Sequence, residues 1–169
     1  TQGSGKSLTM VMLAKCLALA PDILNPKIIL VTDRVDLDDQ LWDTFHACGL
    51  EPEQAKTGAH LVGLLQDDKA HVVTTVIHKF NAAASSRDMK KVGRNTFVLV
   101  DEGHRTNYGE LHARMRQALK GACLIAFTGT PLAKDIRANT FLQFGDLFQP
   151  AYTIARAVED HAVVPLLYE

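Results

Sequence analysis

TQGSGKSLTMVMLAKCLALA, residues 1–20, is the stretch that decides the fold. Gly3-Ser4-Gly5-Lys6-Ser7 runs directly into an apolar segment, 7–20, that reads as a helix stopped by Pro21. Gly3 and Gly5 permit positive φ, so successive backbone N–H groups can close around phosphate oxygens. The helix turns its unpaired N-terminal N–H groups toward the same anion. In that arrangement Gly3, Ser4, Gly5, Lys6, Ser7 and Leu8 form an ATP-binding set. Lys6 reaches the β- and γ-phosphates and the Ser7 hydroxyl ligates Mg²⁺. A glycine-rich turn that caps a helix by chance is the competing reading, and the residues downstream weigh against it. A phosphate loop of this kind normally follows a central strand, which is not found before Thr1; the chain is therefore expected to be a fragment of a longer protein.

Outward from the loop, apolar segments alternate between two periods. KIILVT (27–32), HVVTTVI (71–77), TFVLV (96–100) and ACLIAFTGT (122–130) are β-rich runs of the kind buried on both faces of a sheet. DLDDQLWDTFHAC (36–48) spaces Leu37, Leu41 and Phe45 by four, HLVGLLQ (60–66) is a short helix, and YGELHARMRQALK (108–120) puts Leu111, Met115 and Leu119 on one face. The alternation predicts an α/β domain with a mostly parallel sheet flanked by helices, its first strand missing. From Phe141 the pattern is less regular, and VVPLLY (163–168) is the last strand-like piece.

Thr32-Asp33, Asp101-Glu102 and Thr128-Gly129 sit just past the ends of three predicted strands, the edge where open α/β sheets place ligands. Asp101 can hold the second side of a magnesium shell, and Glu102 can orient and deprotonate an attacking water. With Lys6 they make the catalytic set, and Ser7 with Asp101 the metal set. An acidic turn is an equal reading of Asp101-Glu102 until it is coupled to the upstream loop. Thr128, Gly129 and Thr130 can hydrogen-bond that acidic segment and so sense the γ-phosphate; taken alone, TGTP is a strand-terminating turn. His104 is assigned a coupling role beside them.

Composition bounds the rest. A chain of 169 residues, 47% hydrophobic and 22% charged, suits one globular domain with a substantial core. Its net charge of −1 excludes a polycation that coats nucleic acid, so any DNA contact depends on local basic groups or backbone amides. No apolar run is long enough to span a bilayer. Cys16, Cys48 and Cys123 are odd in number and lack metal-ligand spacing, which suits a reduced cytoplasmic interior; Cys48 reads as buried filler ahead of a reactive thiol.

The motifs, in this order, resemble motifs I, II and III of superfamily 2 helicases and translocases. Several segments are more particular. Val31-Thr32-Asp33-Arg34-Val35-Asp36-Leu37-Asp38-Asp39-Gln40-Leu41 resembles motif Ia of the type I restriction endonuclease R (motor) subunit. Thr74-Thr75-Val76-Ile77-His78-Lys79-Phe80, Asp101-Glu102-Gly103-His104-Arg105 and Phe127-Thr128-Gly129-Thr130-Pro131-Leu132 resemble further elements of that family, as does the distal Phe144-Gly145-Asp146. Gly103 stands where the family usually has Ala, Ser7 where Thr is commoner, and His78 where Gln is usual.

The resemblance covers essentially the whole chain and implies the first RecA-like helicase ATP-binding domain over 1–169, partial, with the second lobe and nuclease domain absent. It implies an ATP hydrolase that uses ATP and Mg²⁺ to move on double-stranded DNA, beside modification and specificity subunits, in the cytoplasm and away from membranes. Site-specific DNA cleavage belongs to the parent protein, and the fragment alone is expected to be inactive and of low stability. Arg34, Thr74, Thr75 and Lys79 are the implied contacts to the DNA backbone. Pairing of Arg34 with Asp36 or Asp38, and a solvated Lys79, are equal alternatives. Arg87, Lys90, Lys91 and Arg94 read as a solvated basic loop. Two other functions stay open: a different superfamily 2 DNA helicase of type III restriction or repair type, and a nucleotide-binding switch that does not turn over ATP. Glu102 weighs against the switch, which needs no water-activating carboxylate.

Overall fold

KIILVT has no polar face, and the structure buries five of its six residues. In the computed structural model this segment is β1 (Lys27–Thr32), the middle of a five-stranded sheet. The structure describes residues 5–69, 71–86, 92–101, 109–128, 144–149 and 151–162. The elements run α1 (Lys6–Leu19), β1, α2 (Val35–Ala47), β2 (Glu53–Gln54), α3 (Gly58–Gln66), β3 (Val72–Val76) and a 3-10 turn (Ile77–Lys79). Then come α4 (Phe80–Ser85), β4 (Thr96–Asp101), α5 (Gly109–Ala118), β5 (Cys123–Phe127) and α6 (Ile154–Glu159). Strand order is β2-β3-β1-β4-β5, and every pairing is parallel.

Strand alternation sorts the side chains into two cores. Ile29, Val31, Val73, Val98 and Val100 meet Leu61, Leu64 and Leu65 of α3, Phe80 and Ala83 of α4, and Met115 of α5. Ile28, Leu30, Val72 and Leu99 face the other way, against Met10, Val11 and Ala14 of α1 and Leu41 and Phe45 of α2. The result is a helix–sheet–helix sandwich, the α/β class that the sequence predicts. α1 is apolar beyond its buried side: Leu8, Met12 and Leu19 are 56%, 68% and 83% exposed. β5 lies at one end of the described strands, with Cys123 exposed and Leu124 to Phe127 half-buried.

The helix ends follow local chemistry. α1 stops at Ala20, just before Pro21. α2 closes on Gly49 at φ +77, where Gly49 N–H donates to His46 O at 2.9 Å and Leu50 N–H to Phe45 O at 3.1 Å, a Schellman closure. Thr57 caps α3 by accepting from His60 N–H at 3.1 Å. At the far end of α3, Lys27 Nζ donates to the carbonyls of Leu64, Leu65 and Asp67 at 2.8, 3.1 and 2.8 Å. Partial burial pulls that ammonium below the usual lysine range, while the carbonyl end of the helix dipole favours a cation there.

The long elements lie where the periodicity puts them, within about two residues at each end, except that β5 ends at Phe127, short of Thr130 in ACLIAFTGT. β2, the 3-10 turn, α4 and α6 are additions. VVPLLY lies outside the described residues. Cys48 is half-buried and packs against the core beside α1 and α2, as a filler rather than fully enclosed, while Cys16 and Cys123 are exposed. Among the described residues no helix is long and apolar enough to cross a membrane.

Candidate functional site

Gly5 takes φ +81, ψ 25, a left-handed conformation that strains an L side chain, and a Cβ there would meet nothing within 4 Å. This residue is the N-cap of α1. Thr9 N–H and the Thr9 hydroxyl both donate to its carbonyl, at 3.0 and 3.1 Å, fixing the first helical turn. Lys6 and Ser7 follow half-buried in that turn, and Leu8 is exposed. β4 carries Asp101 at its carboxyl end, and β5, paired alongside in the register Asp101↔Phe127, brings Thr128 to the same edge.

The sheet and α1 converge on one contact. Lys6 Nζ lies 3.4 Å from Asp101 Oδ1, with the two side chains only 19% and 15% exposed. A primary ammonium, a hydroxyl-bearing residue next to it on a helix N-terminus, and a carboxylate at a strand end make a donor set suited to a phosphate and a hard divalent cation. The residues present therefore fit Mg·ATP: Lys6 and the α1 N–H groups for phosphate, Ser7 and Asp101 for the ion. Gly3, Ser4, Glu102, His104, Gly129 and Thr130 lie outside the described residues. Among the described residues no group of three or more His, Cys, Asp or Glu side chains could hold a metal.

The residues expected to contact DNA are less uniform. Arg34 is exposed, and its guanidinium forks onto Asp36, Nε to Oδ1 at 3.0 Å and Nη2 to Oδ2 at 2.7 Å, the pairing alternative weighed from sequence. Thr74 and Thr75 are 0% exposed within β3 and offer no surface to a phosphate oxygen, because VVTTV is buried on both faces. Lys79 is half-buried on the 3-10 turn, and its Nζ donates to the carbonyl of Ala55. Of the basic loop, Arg94 is described and exposed, while Arg87, Lys90 and Lys91 are outside the described residues.

Beside Lys79 stands a buried polar group that the motif reading does not single out. Asp38, in the first turn of α2, is 1% exposed. Its Oδ2 accepts from Gln54 Nε2 at 3.2 Å, while Asp38 Oδ1 and the neighbouring Thr74 Oγ1 have no hydrogen-bond partner. Burial raises the Asp38 pKa, opposed by the Gln54 hydrogen bond and by the positive charge of Lys79. His112 of α5 is likewise buried, with Nε2 unpartnered and its ring edge-on to Phe144 at 5.0 Å. Desolvation, helped by Arg116, lowers its pKa to about 4.

The sequence model of the SWI2/SNF2 ATPase family matches residues 1–169. The chain belongs to the SWI2/SNF2 ATPase family. It is also similar to endonuclease subunits of type I restriction enzymes, as the motif resemblance implies. It is 37% identical over 188 residues to the HindI endonuclease subunit of Haemophilus influenzae, covering 100% of this chain and 18% of that one. It is 35% identical over 170 residues to a subunit assigned to the MjaIXP enzyme of Methanocaldococcus jannaschii, covering 99% and 16%. It is 31% identical over 172 residues to the SsaAORF53P subunit of Staphylococcus saprophyticus, covering 97% and 18%. The chain thus spans less than a fifth of the length of the curated relatives it matches.

For a SWI2/SNF2 ATPase, Lys6 and Asp101 are where sequence reasoning looks first, because glycine spacing and a strand-end acid are visible in one dimension. The sequence offers Asp38 only as a possible partner of Arg34, because nothing in DLDD marks which acid turns inward. The one available signal is the spacing of three between Asp38 and Leu41, which puts the acid on the apolar face of α2.

Proposed function

We propose that this domain is the first motor lobe of a type I restriction enzyme, binding and hydrolysing Mg·ATP to drive movement along double-stranded DNA. The observation that carries the reading is the approach of Lys6 to Asp101 at 3.4 Å across the junction of α1 and β4. A helix N-terminus with a lysine and a strand end with an acid have no need to meet for packing alone. Their meeting sets an ammonium suited to phosphate beside a carboxylate suited to a metal ion, which supports the reading.

In this reading the N–H groups of the α1 turn and Lys6 bind the phosphates, Ser7 and Asp101 hold the ion, and Glu102 orients and deprotonates the attacking water. Bound Mg²⁺ supplies charge neutralisation at the transferring phosphoryl group. Thr128, Gly129, Thr130 and His104 link the state of that group to the rest of the sheet. Arg34 and Lys79 are the backbone contacts to DNA that their chemistry still allows. Thr74 and Thr75, buried inside β3, are not carried forward. A second lobe, the nuclease and the modification and specificity subunits complete the working enzyme. The half-exposed apolar β5, at one end of the described strands, is consistent with a further strand pairing there.

ATPase activity of the motor subunit, with and without duplex DNA, tests the reading. Strong stimulation by DNA, reduced by a factor of about 100 or more in Lys6→Ala and Glu102→Gln, is the expected result. Nucleotide binding without DNA-dependent turnover would overturn the motor and leave a switch module in its place.

A further inference from the structure

β2 pairs with β3 at two positions, Glu53↔Val73 and Gln54↔Thr74, and so short a ladder does little to hold a sheet edge. α2 supplies the missing grip from one side. Trp42 Nε1–H donates to Pro52 O at 2.8 Å, and Gln54 Nε2 donates both to Asp38 Oδ2 at 3.2 Å and to Asp39 Oδ1 at 2.7 Å. From Gln54 the connection continues into the next residue. Ala55 N–H donates to Thr74 O at 2.9 Å, and Ala55 O accepts the ammonium of Lys79. The first turn of α2, which opens at Arg34, and the 3-10 turn carrying Lys79 are therefore joined through Asp38, Gln54 and Ala55. With 1% exposure Asp38 can touch no macromolecule itself; whatever it does, it does through its neighbours.

From this geometry we infer that Asp38 and Gln54 are positioning residues: they clamp edge strand β2 and, through the Ala55 carbonyl, hold the Lys79 ammonium in a fixed relation to the Arg34 turn for binding backbone phosphates of duplex DNA. The inference rests on the reading of Lys79 as a phosphate contact. An ammonium has three N–H donors; with one directed at Ala55, the others can serve a phosphate from a side chain already ordered. Ordering the lysine before contact lowers the entropic penalty of binding. Without the clamp, the two-residue edge strand and the carbonyl that holds Lys79 are free to shift.

The test is DNA-stimulated ATPase of the motor subunit, titrated with duplex DNA at several salt concentrations. Lys79→Ala is expected to raise the DNA concentration for half-maximal stimulation about tenfold and to reduce the salt slope by about one, the loss of one phosphate contact. Gln54→Ala and Asp38→Ala should reproduce both changes, with kcat at saturating DNA and KM for ATP unchanged. Asp38→Asn keeps an oxygen facing Gln54 and should restore wild-type values. The double variant Gln54→Ala/Lys79→Ala should be no worse than Lys79→Ala alone. A merely structural role lowers thermal stability without changing the number of phosphates contacted, so the salt slope separates the two. If Asp38→Ala does not fold, Gln54→Ala, at a half-buried edge position, decides. A normal slope in Gln54→Ala beside an altered one in Lys79→Ala would overturn the clamp and leave the phosphate reading standing, as would effects that multiply. A normal slope in Lys79→Ala would overturn the phosphate reading itself, and the clamp with it.

Discussion

Burial acts in opposite chemical senses on Asp38 and His112: it favours the protonated acid in one and the unprotonated base in the other. For His112 the folded pKa of about 4 lies below the ordinary 6.5, so between those values the unfolded chain takes a proton that the native state refuses. Stability is expected to be fully present above pH 6.5, to fall by up to about 3 kcal/mol as pH drops toward 4, and to level off below. Urea midpoints across that window check this, and His112→Leu should flatten that part of the profile. For Asp38 the signs reverse. Its raised pKa makes the carboxyl least unfavourable below 3.8, and stability is lost as pH rises through the folded value. Asp38→Asn can keep the Gln54 contact and donate to Thr74 Oγ1, so it should stabilise the fold at pH 7 and have no such effect at pH 3. A neutral-pH loss of stability in that variant would show that the ionised form is structurally required. At this scale the sequence displays candidate functional atoms better than their surroundings. Lys6 and Asp101 are legible because glycine spacing and a strand end announce them. The burial of Thr74 and Thr75 is not, since a threonine in a β-rich run reads the same whether it faces a groove or a core.

Among the elements, α3 and α4 approach closely enough to constrain one position. A Cβ on Gly58 would come within 2.5 Å of the Ala82 Cβ and 3.1 Å of the Lys79 carbonyl. Neither is the end of a flexible side chain, so Gly58→Ala must push the two helices apart. The expected cost is about 1–3 kcal/mol, read as a lowered thermal midpoint; an unchanged midpoint would mean that α4 moves freely. The displacement also bears on the turn that carries Lys79, so weaker DNA stimulation should accompany the loss. The long helices and apolar strands were legible because several turns of periodicity reinforce one another. β2, with two residues, and α4, with six, are too short for any period to register. They are specified by tertiary contacts instead: β2 by Asp38, Asp39 and Trp42, and α4 by the burial of Phe80 and Ala83.

Across the whole molecule, the class of fold follows from continuous apolar strands alternating with helices, but the order β2-β3-β1-β4-β5 does not. Strand order is a choice among crossovers of similar local chemistry, decided by which faces fit. The two cores are unequal in how well they are closed. α3, α4 and α5 cover one face of the sheet. On the other, α1 leaves Leu8, Met12 and Leu19 in solvent at the side away from the sheet. Such a helix gains less from burial than its composition allows. The chain by itself is therefore expected to unfold over a broad urea range with a low midpoint. A steep single transition near pH 7 would contradict this. The half-exposed end of the sheet at β5 also governs how the protein behaves in the tube. Among the described residues no further strand pairs with β5; an apolar strand open along one side offers a template to any neighbouring chain, and Cys123 stands exposed at its start. Concentrated preparations of the isolated lobe should assemble into soluble oligomers and then precipitate, with covalent dimers appearing when reductant is withdrawn.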